Sequence, residues 1–403
     1  MNILFLGGIF TEQDKGQITR KSKGSMQYAA DTLQKNYLDG FCQNESVQSV
    51  SVINLPFIGA YPKRYDDVYF RPLKSTEPLG RATVFNVGFL NLSVVKNIHK
   101  VILAVTQIIA HVNKHNGKDC VLVCYSMHLP FLVACHIVKR IKRDVHLCVI
   151  VPDLPEYMSV RTGLMKAVFD GLSKVSYFVV NRADSIVAIT AQMLNVFQGA
   201  MKKVVIEGIA DEKYLSAAEP ERKLNYFLYT GTLDRRYGIR NLLDSFIASG
   251  IDQYELLICG DGDDRKHVET ISAAHSQVKF LGQLDRSEVL NYQRQAKLLI
   301  NPRDNESAFT KFSFPSKVIE YMSSGTPVLM YELDGIPDEY YEFCFVVPLG
   351  DNGLKDKLLE VSRLSDEALL AKGRSAKRFI LDNKMPGVQV RKLLEEIKGE
   401  RYV

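Results

Sequence analysis

Short apolar runs alternate with helix-period segments along almost the whole chain. In the first half the pattern predicts a strand at Asn2–Leu6, a helix from about Ser25, a strand near Val47–Asn54, a helix across Leu92–His115, and strands starting near Val121, Val145 and Ser185. A second run begins at YFLYTG, Tyr226–Gly231, and continues through YELLICG, VKFLG, AKLLINP and TPVLMY. Alternation of this kind specifies parallel sheets covered by helices, so the expected fold class is α/β, with two doubly wound Rossmann-like domains. Residues 1–210 form the first domain, the polar segment 211–225 is the linker, 226–383 form the second, and 384–403 remain as a C-terminal helix. Ligands of such sheets sit beyond the carboxyl ends of the strands, and two sheets facing one another would place a cleft between the domains.

Composition narrows the class. The chain has 403 residues, 46% of them hydrophobic, which is enough for two cores. Seven scattered cysteines, an odd number, argue against a disulfide framework and for a reducing cytoplasm. Cys120 and Cys124 flank VLV in a strand-like stretch, which sets them roughly 13 Å apart and unable to share a metal. The start, MNILFLGGIF, has no basic region ahead of its apolar run and reads as a first strand, not an export signal. Val121–Val138 approaches membrane-spanning length, but Ser126, His128 and Pro130 interrupt it, so it reads as strand, turn and buried helix. A net charge of +5 is modest, and no nucleic-acid partner is expected. Basic residues cluster at Lys15–Gly24 and Lys139–Arg143, either as two solvated faces or as a surface for peripheral contact with an anionic membrane.

The richest stretch for chemistry is FSFPSKVIEYMSSGTPV, Phe312–Val328. Pro315 suits a helix's first turn, Ser313 is a candidate cap, and Gly325 with Pro327 ends the helix. Ser316, Lys317 and Glu320 then share one face. Free amides and the helix dipole at its start attract an anion such as a diphosphate, and Lys317 adds a full charge. Glu320 lies one turn further, roughly 5.4 Å along the axis, where a carboxylate can accept from two vicinal ribose hydroxyls. The same spacing also describes an ordinary amphipathic helix with a solvated lysine and glutamate.

Other candidates sit where strands end. Gly7 and Gly8 close the first strand, and Gly24 and Ser25 open the next helix after a basic loop, so a ligand can approach the backbone and meet free amides. In YTGTLDRRYGIR, Arg235 and Arg236 follow Gly231, and Arg303 follows LLINP. These three arginines are candidates for stabilising charge on a leaving diphosphate, or are solvated and structural. Asp261 and Asp263 in CGDGDD have a spacing that can chelate manganese, but they follow a strand and open a helix. They read better as caps, with Gly260 and Gly262 shaping the loop, so neither a metal nor a cofactor is expected. VIVPDLPEYM places Asp153 and Glu156 at the carboxyl end of a buried strand. Asp153 is a candidate for orienting a hydroxyl or stabilising positive charge, or else a cap on the next helix. His128 ends another strand, as a ligand contact or a structural residue. The long segment Leu55–Gly88 carries Tyr61, Tyr65, Tyr69 and Phe70, suited to stacking on sugars, and Lys63, Arg64 and Arg71, suited to a phosphate. The alternative is a packed surface loop needing anchors.

The FPSK…EY…SGTPV run, with the segments around it from about residue 226 to 345, resembles the C-terminal half of the retaining glycosyltransferases of family 4, which have the two-domain GT-B fold. Residues 1–210 resemble the other half more weakly, and the likeness is nearest to the bacterial branch that builds capsule and other surface polysaccharides. The resemblance implies a metal-independent cytoplasmic enzyme, peripheral at the inner membrane face. It would move a hexosyl or N-acetylhexosaminyl group from a nucleotide sugar, UDP-linked, to a saccharide acceptor, either soluble or carried on a polyprenyl diphosphate. In that family the glutamate matching Glu320 holds the donor ribose, the turn matching Gly282–Leu284 meets the base, and the C-terminal helix crosses back to the first domain. The places matching Gly8 and Gly24–Ser25 line the cleft beside donor phosphate and acceptor. Three positions depart from the family. Phe312 replaces a glutamate near the donor sugar, Thr232 an arginine, and Tyr237 a lysine. The expected site therefore comprises Asp153, His128, Arg235 and Lys317 as catalytic residues. Gly8, Gly231, Arg236, Gly260, Gly262, Gly282, Arg303, Pro315, Ser316 and Glu320 would bind donor, and Gly24, Ser25, Tyr61 and Arg64 acceptor. With no protein nucleophile evident, retention would follow a front-face route in which the leaving phosphate helps deprotonate the acceptor. Rival readings are a nucleotide-sugar epimerase on the same fold and a catalytically silent nucleotide-binding partner. An oxidoreductase lacks a clean G-x-G-x-x-G after either first strand.

Overall fold

Strand-length apolar runs flanked by glycine, proline and polar residues become buried parallel strands, and the helix-period segments cover them. The computed structural model describes residues 1–24, 26–114, 119–158, 163–199, 201–212, 223–305 and 308–399. The chain divides into two units, Met1–Ile209 with Pro386–Val403, and Ala210–Met385.

Unit 1 contains strands β1 (Asn2–Gly7), β2 (Ser49–Asn54), β3 (Tyr69–Phe70), β4 (Thr76–Leu79), β5 (Ala82–Asn86), β6 (Phe89–Leu90), β7 (Cys120–Tyr125), β8 (His146–Val151), β9 (Ser185–Ala188) and β10 (Lys202–Val205). Its helices in chain order are α1 (Glu12–Lys21), α2 (Tyr28–Gln43), α3 (Ser93–Lys114), α4 (Leu129–Ile141), α5 (Pro155–Met158), α6 (Gly163–Val180) and α7 (Ala191–Leu194). The main sheet runs β10-β9-β8-β7-β1-β2-β5-β4, parallel except for β4 against β5. β1 lies between β2 and β7, so the order reverses between β1 and β7, and the loops leaving them diverge. The core centres on Phe5, Tyr37, Phe41, Val123 and Ile150.

Unit 2 holds β11 (Tyr226–Thr230), β12 (Glu255–Cys259), β13 (Val278–Gly282), β14 (Leu298–Asn301), β15 (Val328–Tyr331) and β16 (Phe345–Val347). They form one parallel sheet in the order β13-β12-β11-β14-β15-β16, the doubly wound Rossmann order with its switch point between β11 and β14. Its helices are α8 (Ile239–Ser249), α9 (Arg265–Ala274), α10 (Arg286–Gln295), α11 (Lys317–Ser323), α12 (Gly353–Ser362) and α13 (Asp366–Asn383). The last helix, α14 (Pro386–Lys398), belongs to unit 1, where Val390, Leu393, Leu394 and Ile397 join the core cluster of Tyr37 and Phe41. Each such fully buried aliphatic side chain stabilises by about 1.5–3 kcal/mol relative to exposure. Gln389 Nε2 donates to Gly208 O at 2.8 Å and Gly387 N to Gln43 Oε1 at 3.0 Å, fixing the helix's register on α2.

Several local expectations change. The basic stretch before Gly24 is not a loop, since Glu12–Lys21 forms α1, with Glu12 and Asp14 in its first turn and Arg20 and Lys21 in its last, matching the dipole. α2 starts at Tyr28, later than expected, and Ser25 lies outside the described residues. The segment 55–88 is not wholly irregular: β4 and β5 extend the main sheet as a hairpin, and Tyr65 and Phe70 are buried anchors that cannot stack on a sugar. Lys21–Asp67 and Lys23–Asp66, both at 2.6 Å, tie this segment to the end of α1. All seven cysteines are free thiols.

One helix runs against the usual pattern. α3 buries Lys96 and Lys100 and exposes Val94, Val95, Ile98 and Ile102. By length and composition it is apolar enough to cross a membrane, although its lysine face packs on the protein. The sequence places near-spanning length at Val121–Val138 instead, and the structure moves it to α3.

Candidate functional site

Four glycine-rich or basic connections gather at the carboxyl ends of the unit 2 strands β11 to β14. Backbone bonds lace the first three together: Gly231 N to Cys259 O (3.0 Å), Leu233 N to Asp261 O (2.9 Å) and Gly260 N to Gly282 O (2.9 Å). A side chain at Gly260 would overlap Gly231 O, and one at Gly262 would overlap Leu233 O. Both also have positive φ, 151° and 157°. The glycines are therefore required where the loops after β11 and β12 touch. Gly260→Ala should force the two loops apart, at a cost of roughly 1–3 kcal/mol. Thermal unfolding with and without UDP checks this, and an unchanged melting temperature would contradict it.

After β11 the chain turns through a 3-10 segment, Arg235–Tyr237, capped by Asp234, whose carboxylate accepts from Arg236 N at 2.9 Å. Arg236, itself exposed, directs its charge to that same half-buried Asp234, Nη2 to Oδ2 at 2.6 Å. Arg235 is exposed and forms no ion pair among the described residues. Arg303 follows β14 and is only 6% exposed. Its guanidinium lies 5.6 Å from the Tyr237 ring centroid, and Nη2 donates to Ser313 Oγ at 2.6 Å. Arg303 thus places a guanidinium beside Tyr237. Ser313 serves Arg303 and does not cap α11.

α11 begins at Lys317, with Ser316 at the cap position making no side-chain cap bond, and Pro315 accepts through its carbonyl from Val318 N at 2.9 Å. Gly325, at φ 73°, stops the helix. Glu320 is buried and receives Lys317 Nζ (2.8 Å) and Gln293 Nε2 (2.6 Å) on Oε1 and Arg286 Nη2 (2.7 Å) on Oε2. Burial opposes its ionisation, but Lys317, Arg286 and Gln293 outweigh it and hold the carboxyl below its usual range. Gln293 also donates to Thr230 Oγ1 at 2.9 Å, and Tyr321 Oη bridges the N–H and carbonyl of Thr230 at 2.8 and 2.9 Å. This network joins α10, α11 and β11. Arg286, Gln293 and Tyr321 were not anticipated, since nothing local in the sequence marks them.

Asp261 and Asp263 of CGDGDD do not cap α9. Asp264 occupies the cap position and pairs with Arg240 at 2.5 Å, while Asp261 accepts from Gly262 N at 3.0 Å. Among the described residues no group of three His, Cys, Asp or Glu could hold a metal ion.

Unit 1 has its own site. A cavity of about 890 Å³ opens beyond β1, β2, β7 and β8, with α3 and α6 as walls. Asp153, His128, Gly24 and Arg64 line it, whereas Gly8 and Tyr61 do not. Gly8 donates its amide to Gln34 Oε1 at 2.8 Å, and a side chain there would meet the Phe57 ring and Leu55 O. Its role is packing, and its amide is not free for an anion. Asp153 is solvent-accessible, yet burial among the cavity walls pushes its carboxyl up to about 6. His128 stands at the cap position of α4 against the rings of Phe57 and Phe131. Burial, then Lys100 and Lys96, pull its pKa down to about 3, so the imidazole is neutral at physiological pH. Its Nε2 is buried without a hydrogen-bond partner among the described residues, which leaves one bond for a ligand. Glu156 is instead occupied, accepting from Tyr177 Oη at 2.8 Å.

Residues 225–363, within unit 2, match the family described as Glycosyl transferases group 1. Phosphatidyl-myo-inositol mannosyltransferase of Mycobacterium leprae (strain TN) is 30% identical over 159 residues, 38% of this chain and 41% of that protein. The match thus spans about two fifths of the relative's length. Sucrose-phosphate synthase from Thermosynechococcus elongatus superposes with a TM-score of 0.63 at 15% identity, covering 99% of this chain and 100% of the other. Anabaena HepE in complex with UDP gives 0.62 at 14% identity, again over 99% and 100%. Two Rossmann-like domains with parallel sheets, as in these structures, make the fold GT-B.

Proposed function

We propose that this chain is a retaining glycosyltransferase of family 4 that moves a sugar from a UDP-sugar to a polyprenyl-diphosphate-linked saccharide, as in bacterial surface-polysaccharide assembly. One observation carries the donor side: Glu320, buried and ionised, stands one turn into α11 at the unit 2 switch point, with Lys317 at the start of the same helix and Arg303 on the connection that leads into it. In this reading the ribose hydroxyls donate to Glu320 Oε2 and to Gln293 Oε1, which is buried and accepts no bond among the described residues. Lys317 turns from Glu320 to the diphosphate, where it and Arg303 offset the charge that develops as UDP leaves. Fixed cations in that role make the transfer metal-independent. The match of residues 225–363, and the UDP held by a protein of the same fold, support the donor class. Arg303 beside Tyr237 favours an active enzyme over a silent partner, because a cation is kept where the family's lysine is missing.

Unit 1 supplies the acceptor side. Asp153, as a carboxylate, orients the attacking hydroxyl, and neutral His128 offers one hydrogen bond to the saccharide. The outward residues of α3, with Val168, Leu172, Val175 and Phe178 of α6 and Ile137 and Ile141 of α4, form an exposed apolar face. Lys139 and Arg140, in the last turn of α4, add positive charge beside it, although Lys139 also pairs with Asp184 at 2.7 Å. Such a face suits the surface of an anionic bilayer, which would carry the lipid acceptor to a cavity walled by the same helices. The enzyme is then peripheral at the cytoplasmic face. The transferase reading predicts UDP release from a UDP-sugar only when a polyprenyl-diphosphate saccharide is present. Release without acceptor, with an altered sugar, would instead identify an epimerase.

The membrane reading predicts that the full chain floats with phosphatidylglycerol vesicles. Ile98→Glu with Ile102→Glu should lower the partition coefficient roughly tenfold or more, since each buried isoleucine is worth about 1.5–3 kcal/mol. Equal flotation of the variant would remove the face from the account.

A further inference from the structure

We infer that Lys96 and Lys100 form an anion subsite in the unit 1 cavity, which takes a phosphate or diphosphate group of the acceptor. The inference rests on the reading of unit 1 as the acceptor side. The two lysines lie four residues apart on one face of α3, and both line the cavity. Lys96 is 9% exposed and Lys100 1%. Buried cations are ordinarily paired, and like charges at this helical spacing repel. Here neither lysine meets a carboxylate within ion-pair distance among the described residues. Their partners are carbonyls: Lys96 donates to Ile58 O, and Lys100 to Leu55 O at 3.1 Å and Pro56 O at 3.0 Å. Lys100 Nζ also lies 4.2 Å from the Phe89 ring centroid.

An ammonium has three donors, so carbonyls that take one from Lys96 and two from Lys100 hold both groups in place without neutralising either. The cavity adds to the imbalance. Lys23 and Arg64 also line it, while among the described residues Asp153 is the sole carboxylate of the lining and Lys23 alone of the four cations has an acidic partner, Asp66. Bound anion would restore what burial takes away, since burial pulls Lys96 down to about 8 and Lys100 further. The carbonyls of Leu55, Pro56 and Ile58 account for the donors of the two lysines but leave their charge without a counter-ion among the described residues. The repeated, unneutralised charge is what a phosphate requires.

A phosphate group of this kind has two sources, a lipid-linked diphosphate or a free sugar phosphate. The test uses the full-length wild-type chain and follows acetylation of Lys96 and Lys317 by mass spectrometry. Inorganic pyrophosphate, farnesyl diphosphate, glucose 6-phosphate, glucose and UDP are each added in turn. Protection of Lys96 by at least one phosphorylated probe, and not by glucose, is expected. Farnesyl diphosphate as the best protector would assign the lipid source, and glucose 6-phosphate the soluble one. Lys96 acetylated equally with every probe would overturn the subsite. The donor reading fails separately, if UDP leaves Lys317 unprotected. Lys96→Gln, which keeps a donor without the charge, should raise the Kd of the protecting probe roughly tenfold or more and leave that of UDP unchanged. An unchanged probe Kd in a variant that melts like the wild type would also overturn the proposal.

Discussion

Asp153→Asn should lower kcat/KM on the order of a hundredfold, the scale for losing the group that orients the attacking hydroxyl, and should abolish the acidic limb of the pH profile. The wild-type limb is expected near the carboxyl's raised value of about 6. As pH rises through that value the carboxylate forms and the rate climbs to a plateau. The same shift acts on stability with the opposite benefit. Folding raises this pKa above its ordinary 3.8, so the protonated form is favoured by folding, and the contribution is lost as pH rises from about 4 through about 6. Asp153→Asn is therefore expected to unfold at a higher temperature than wild type at pH 8 and at nearly the same temperature at pH 4. A residue that costs stability where it is ionised and is kept at a strand end fits an active-site role. A variant with full activity, or one that keeps the acidic limb, would remove Asp153 from the chemistry.

Glu320→Gln should raise the Kd for UDP on the order of a hundredfold, because a neutral amide replaces the charged acceptor of a ribose hydroxyl and the anchor that aims Gln293 Oε1 at the other. Glutamine also turns an NH2 toward Lys317 or Arg286, so it is no better than alanine here. The fold should survive, since Arg286, with its side chain 55% exposed, and Lys317, 35% exposed, can turn to water when the carboxylate is gone. Calorimetric titration with UDP and a melting curve separate the two effects. Unchanged affinity would mean the ribose lies elsewhere.

How much of this was legible in the sequence depends on the range of the interactions involved. The first five strands of the unit 2 sheet, their end glycines and the α11 motif were readable because strand period, turn residues and helix stop signals are local, whereas the three-residue edge strand β16 is too short to show a period. The placement of Asp153 at the end of β8 followed from the apolar run before it. Of what sets Glu320's ionisation only Lys317 was readable, because Arg286 and Gln293 reach it from a helix about 30 residues upstream. Gly8 resembled a ligand-facing glycine, but the Phe57 ring and the Gln34 amide, both far in sequence, decide its role. The inversion of α3 had a local trace in Lys96 and Lys100, spaced four apart inside an apolar helix. Which face turned inward was fixed only by the carbonyls of residues 55–58, in a segment whose path had no periodic signal.

The central claim is that unit 2 holds a nucleoside diphosphate at α11 without help from a metal. Calorimetric titration of the full chain with UDP, GDP, ADP and NADH, in EDTA and again with manganese, tests it directly. Selective binding of UDP at equal affinity in both buffers is the predicted result, whereas binding of NADH, a requirement for manganese, or no nucleotide binding at all would contradict it.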